Sequence, residues 1–80
     1  MANLFTGRIA TNGYETLASK TSLTFTADTK YTIQIQNVAY LREGTTGKGF
    51  IVDTTTPITY TAGSDDLYIK ADSCIVNIAE

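Results

Sequence analysis

In the segment Tyr31-Thr32-Ile33-Gln34-Ile35-Gln36, apolar and polar residues alternate without a break. Successive side chains of an extended chain point to opposite faces, so this period of two describes a half-buried strand. Tyr31, Ile33 and Ile35 face inward, and Thr32, Gln34 and Gln36 face outward. The same grammar recurs in Leu23-Thr24-Phe25-Thr26, with Leu23 and Phe25 inward, and in Leu67-Tyr68-Ile69-Lys70, with Tyr68 and Lys70 outward. Near the end of the chain Cys74, Val76 and Ile78 share one face, while Ile75, Asn77 and Ala79 share the other. Gly49-Phe50-Ile51-Val52-Asp53 is apolar on both faces, which predicts a strand covered on both sides.

Turn signals punctuate these runs, about eight to nine residues apart from Gly44 onward and more widely before it: Thr11-Asn12-Gly13, Ala27-Asp28-Thr29, Gly44 to Gly49, Asp53 to Pro57, Gly63-Ser64-Asp65 and Ala71-Asp72-Ser73. Such spacing marks a sandwich or barrel. Pro57, the only proline, precedes Ile58-Thr59-Tyr60, where a strand start tolerates the missing N–H. Tyr14 to Lys20 fits either one helical turn or an irregular edge strand. Composition agrees: threonine, isoleucine, valine, tyrosine and phenylalanine make up 34 of 80 residues, and these types fit a pleated surface. The expectation is a single all-β domain over residues 1–80, a compact antiparallel β-sandwich or flattened barrel of seven to eight short strands, Greek-key or jelly-roll-like in order. Leu23, Phe25, Ile33, Ile35, Phe50, Leu67, Ile69, Val76 and Ile78 form its expected core.

Charge and residue chemistry remove several function classes. Six basic against eight acidic residues give a net charge of −2, a poor match for the positive field that nucleic acid requires. With no histidine, a histidine general base and histidine-ligated zinc are excluded. The single cysteine, Cys74, forms no intrachain disulfide and fits synthesis in a reducing cytosol. The N-terminal residues lack a signal-peptide pattern, and no apolar run approaches bilayer-spanning length, so no membrane partner is expected.

The remaining polar residues read as structure. Cys74 lies on an apolar face without a histidine partner, which describes an inert, buried thiol. Ser19, Ser22, Ser64 and Ser73 likewise lack a base. Asp65 and Asp66 follow Gly63-Ser64 and read as turn carboxylates capping backbone amides. They lack the spacing of a calcium loop. In Gly44-Thr45-Thr46-Gly47-Lys48-Gly49 the Gly47-Lys48 pair is not followed by serine or threonine, and no helix follows, so the segment reads as a connection, not a phosphate cradle. No catalytic residue, metal ligand or cofactor site is expected. The candidate interface or ligand residues are Tyr40, Tyr60 and Tyr68, with Gln34 and Gln36 as polar partners for Tyr40. An outward Tyr68 fits a subunit interface, the core of a second face or a ligand contact.

The order of elements from Tyr31 onward carries a resemblance. It runs through Tyr31-Thr32-Ile33-Gln34, Val38-Ala39-Tyr40-Leu41-Arg42-Glu43-Gly44, Gly49-Phe50-Ile51, Pro57-Ile58-Thr59-Tyr60, Ala62-Gly63, Leu67-Tyr68-Ile69-Lys70 and Ile75 to Glu80. This succession resembles the small β-sandwich accessory proteins of tailed-phage virions over about 50 of 80 residues. The acidic Asp65-Asp66 turn and the Thr54-Thr55-Thr56 run depart from that pattern. The resemblance implies a non-enzymatic virion protein, made in the host cytoplasm, that docks on capsid or tail as a decoration, head-fibre or tail-associated component. It also implies a homo-oligomer, with three as the expected number. A small domain without disulfide or metal gains from burial between subunits, which points the same way. The alternative is a carbohydrate- or receptor-binding module that presents exposed tyrosines to a host glycan.

Overall fold

The computed structural model describes residues 2–45, 49–52 and 56–80. The parts of the Gly44–Gly49 and Asp53–Pro57 turns at residues 46–48 and 53–55 lie outside the described residues, as does Met1. Among the described residues eight strands and one short helix form: β1 (Asn3–Ile9), β2 (Glu15–Thr16), α1 (Leu17–Thr21), β3 (Lys30–Gln36), β4 (Ala39–Glu43), β5 (Phe50–Val52), β6 (Ile58–Thr61), β7 (Leu67–Lys70) and β8 (Cys74–Ala79).

Two four-stranded antiparallel sheets result, sheet A in the order β1-β8-β3-β6 and sheet B in the order β2-β7-β4-β5. The first strand pairs with the eighth, the second with the seventh, the third with the sixth and the fourth with the fifth. That nesting is the jelly-roll order, a long hairpin wound onto itself until its two halves face each other. The all-β sandwich expected from the sequence is thereby the observed fold.

Alternation decides what each sheet buries. On β3, Tyr31, Ile33 and Ile35 are buried, and on β8 Cys74, Val76 and Ile78 lie beside them. Sheet B answers with Ala39 and Leu41 on β4 and Leu67 and Ile69 on β7. These side chains join one core, with Leu17 of α1 fully enclosed. Pro57 precedes β6, an edge strand that pairs with β3. Both readings of Tyr14 to Lys20 occur in succession, a two-residue edge strand and then one helical turn.

Three expectations are corrected. Leu23 to Thr26 is not a strand. It leaves α1 through Ser22 in the left-handed region, and the Thr26 N–H donates to the Tyr31 hydroxyl at 2.8 Å rather than to a ladder. Leu23 and Phe25 still pack against the core as partly buried side chains. Phe50, expected in the core, is 52% exposed, and Ile51 is 54% exposed. The reason is position: among the described residues β5 ends sheet B, so no described strand lies beyond it, and of its three residues only Val52 is buried. Tyr60, read as a surface residue, is buried. It shares the inward face of β6 with Ile58, stands opposite Tyr31 on β3, and meets the Phe25 ring edge-on with centroids 6.2 Å apart.

Candidate interaction surface

Cross-strand partners lie on the same face of a sheet, so the ladder reveals what sheet B presents to solvent. Tyr40 stands opposite Lys70 on one side and Ile51 on the other. Arg42 stands opposite Tyr68, which in turn faces Thr16. The outer face of sheet B is therefore two adjoining rows, Lys70–Tyr40–Ile51 and Thr16–Tyr68–Arg42.

Tyr14, just ahead of β2, adds a third ring. The Arg42 guanidinium carbon lies 4.0 Å from the Tyr14 centroid and 5.5 Å from that of Tyr68. Lys70 Nζ lies 5.8 Å from the Tyr40 centroid and 5.9 Å from that of Tyr14. Cations at these distances are attracted by the negative face of an aromatic ring. The Arg42 Nε–H also donates to the Gly44 carbonyl at 3.2 Å, which holds the guanidinium in place. Among the described residues the ion pair within 4 Å is Lys20–Glu15, at 3.1 Å, and it lies away from this face. Arg42 and Lys70 thus rest on aromatic rings rather than on described carboxylates.

Gly49 completes the arrangement. Its φ is +72°, and a Cβ there would stand 2.7 Å from both the Leu41 carbonyl oxygen and the Tyr14 hydroxyl. Only glycine accepts that conformation and that approach without strain. The tip of Tyr14 consequently reaches the start of β5, crossing the outer face of sheet B. Beside Tyr40 an open groove of about 460 Å³ runs between Asn37–Val38 and Lys70–Ser73.

Of the residues singled out from sequence, Tyr40 and Tyr68 are brought together on this face. Gln34 and Gln36 are not, because they lie on the outer face of β3, across the sandwich. Tyr60 lies in the core, and burial, followed by nearby Glu43, Asp66 and Asp65, pushes its phenol above the usual tyrosine value. Cys74 is fully buried, and burial raises its thiol, with Arg8 acting weakly in the opposite sense. Tyr14, Arg42 and Lys70 were not singled out as site residues. Their signal was partly available: Arg42 and Lys70 share the strand parity of Tyr40 and Tyr68, whereas Tyr14 lies outside any alternating run.

Among the described residues no group of three or more histidine, cysteine or carboxylate side chains is placed to hold a metal ion. No described helix is long and apolar enough to cross a membrane. The chain matches no family model, no curated protein and no solved structure.

Proposed function

We propose that this protein is a non-enzymatic structural component of a tailed-phage particle, which associates with itself and docks on capsid or tail through the outer face of sheet B. The observation that carries this reading is the grouping of Tyr14, Tyr40 and Tyr68 around Arg42 and Lys70. Tyrosine and arginine are among the residues that interface cores favour: a rigid ring covers area with little loss of conformational freedom, and a planar guanidinium both stacks on rings and donates several hydrogen bonds. Jelly-roll order supports the reading by analogy alone, since viral capsid domains use it, and so do lectins. Purified protein added to particles that lack it should bind them. The double substitution Tyr68→Ala and Arg42→Ala should weaken binding at least tenfold while the fold, read by circular dichroism, persists. Equal binding by the variant would remove this face from the proposal.

A second reading, glycan binding, draws on the groove where the half-exposed Tyr40 ring stands beside Asn37, Asp72 and Ser73. Sugars commonly meet an aromatic face together with short polar side chains. Retention of the protein on a glycan array, lost in Tyr40→Ala, would favour it over docking.

A further inference from the structure

Large exposed apolar side chains are not scattered over this molecule. Among the described residues they are Leu4, Val38, Tyr40, Phe50 and Ile51, and four of these five gather where β4 and β5 end sheet B. From this clustering we infer that β5 is a self-association edge, pairing antiparallel with β5 of a second copy about a twofold axis. The inference deepens the self-association part of the proposed function and names its surface.

The other three edges are protected in ways that β5 is not. β1 carries a register shift between Asn3 and Phe5 and the charge of Arg8. β2 is two residues long and runs directly into α1. β6 follows Pro57 and turns Thr59 and Thr61 outward. Charge, proline, irregularity and cover are the usual means of blunting an edge. Among the described residues Phe50 to Val52 has none of them, only its shortness. Its backbone pairs with β4 on one side, and no described strand pairs with the other.

The strand is also complementary to itself. Neighbouring side chains point to opposite faces, so one added strand would cover Phe50 and Ile51 together. A register centred on Ile51 sets it against its own copy and sets Phe50 against Val52 of the partner subunit. No charge lies within Phe50–Val52, so the pairing opposes no like charges. Arg42, one strand inward and two residues from the Ile51 axis, would stay about 20 Å from its symmetry mate, three strand spacings across and about four residues along. That exceeds a Debye length of roughly 8 Å at physiological salt. The outer faces of the two sheets B would then run on as one eight-stranded sheet.

An isologous contact of this kind closes at two, which departs from the trimer that the phage resemblance implies. It is also small. Stable interfaces bury on the order of 1,600 Å², and a three-residue strand pair falls short of that. Association should therefore be weak in free solution and favoured where docking raises the local concentration.

Sedimentation equilibrium and amide exchange over a roughly hundredfold concentration range, up to about millimolar, test the inference. The expected result is reversible growth from 8.7 kDa toward twice that mass, with the amides of β5 gaining protection as concentration rises. Ile51→Lys, at an exposed position, should weaken dimerisation at least tenfold and leave the melting temperature of the dilute protein unchanged, whereas Leu4→Lys should leave both unchanged. Amide protection in the unsubstituted protein decides the matter if Ile51→Lys folds poorly. Association that persists in a folded Ile51→Lys, or that stops at three, would overturn the β5 contact and leave self-association standing. A constant 8.7 kDa mass would overturn both, with docking on particles still judged through Arg42 and Tyr68.

Discussion

The guanidinium of Arg42, on β4, rests 4.0 Å from the ring centroid of Tyr14, a residue that precedes the opposite edge strand of sheet B. The contact ties the segment before β2 to the middle of the sheet across β7. A partly exposed cation over a tyrosine is worth about 0.5–1 kcal/mol. A double-mutant cycle with Arg42→Gln and Tyr14→Leu, read by urea unfolding, should return a coupling energy of about that size. Additive single effects would show that the two groups merely lie near each other.

Core and edge should respond differently to truncation, although both are apolar in sequence. Ile69 is fully buried between the sheets, so Ile69→Ala should cost about 2–5 kcal/mol. Phe50→Ala should cost about 1 kcal/mol or less in the monomer, because the residue is already half exposed. The tyrosines divide likewise: Tyr60→Ala should destabilise by several kcal/mol, and Tyr40→Ala by about 1 kcal/mol or less. Chemical denaturation measures all four, and equal losses at Phe50 and Ile69 would contradict the edge position of β5.

Two buried groups give stability a slope in alkali. Burial raises the folded-state pKa of both Cys74 and Tyr60 above their ordinary values of 9.0 and 10.0. In each case the unfolded chain loses its proton first, so the folded state holds more protons over that range. Their contribution is complete below about pH 9 and is lost as pH rises through the folded-state values. Unfolding free energy should therefore fall from about pH 9 upward. Cys74→Val should flatten the first part of that fall and leave the part due to Tyr60. A profile unchanged by Cys74→Val would mean that the thiol ionises as readily in the folded protein as in the unfolded chain.

How much of this was legible depends on whether a residue sits inside a strand with one covered face. Ile33, Ile35, Leu67, Ile69, Val76 and Ile78 were, because a period of two assigns the face once one side is buried. Tyr60 is legible in the same way, since Ile58 and Tyr60 share a parity opposite to Thr59 and Thr61, and that parity argues against grouping it with Tyr40 and Tyr68 as an interface residue. Phe50 and Ile51 were not. Apolar residues on successive positions describe a strand covered on both faces and an edge strand awaiting a partner equally well, and only the sheet order separates the two. Leu23 and Phe25 alternate correctly, yet the Thr26 amide is taken by the Tyr31 hydroxyl, so no ladder forms. Tyr14 depends on a long-range approach to Gly49 and Arg42 that no local pattern encodes.

Whether this jelly roll acts by contact within a phage particle, as proposed, is tested by the protein composition of the particle itself. Quantitative mass spectrometry of density-purified particles from a host producing this chain should find it in many copies, in fixed ratio to the major shell or tail protein. Its absence from intact particles, with the protein left free in the lysate, would rule out a structural role in the particle.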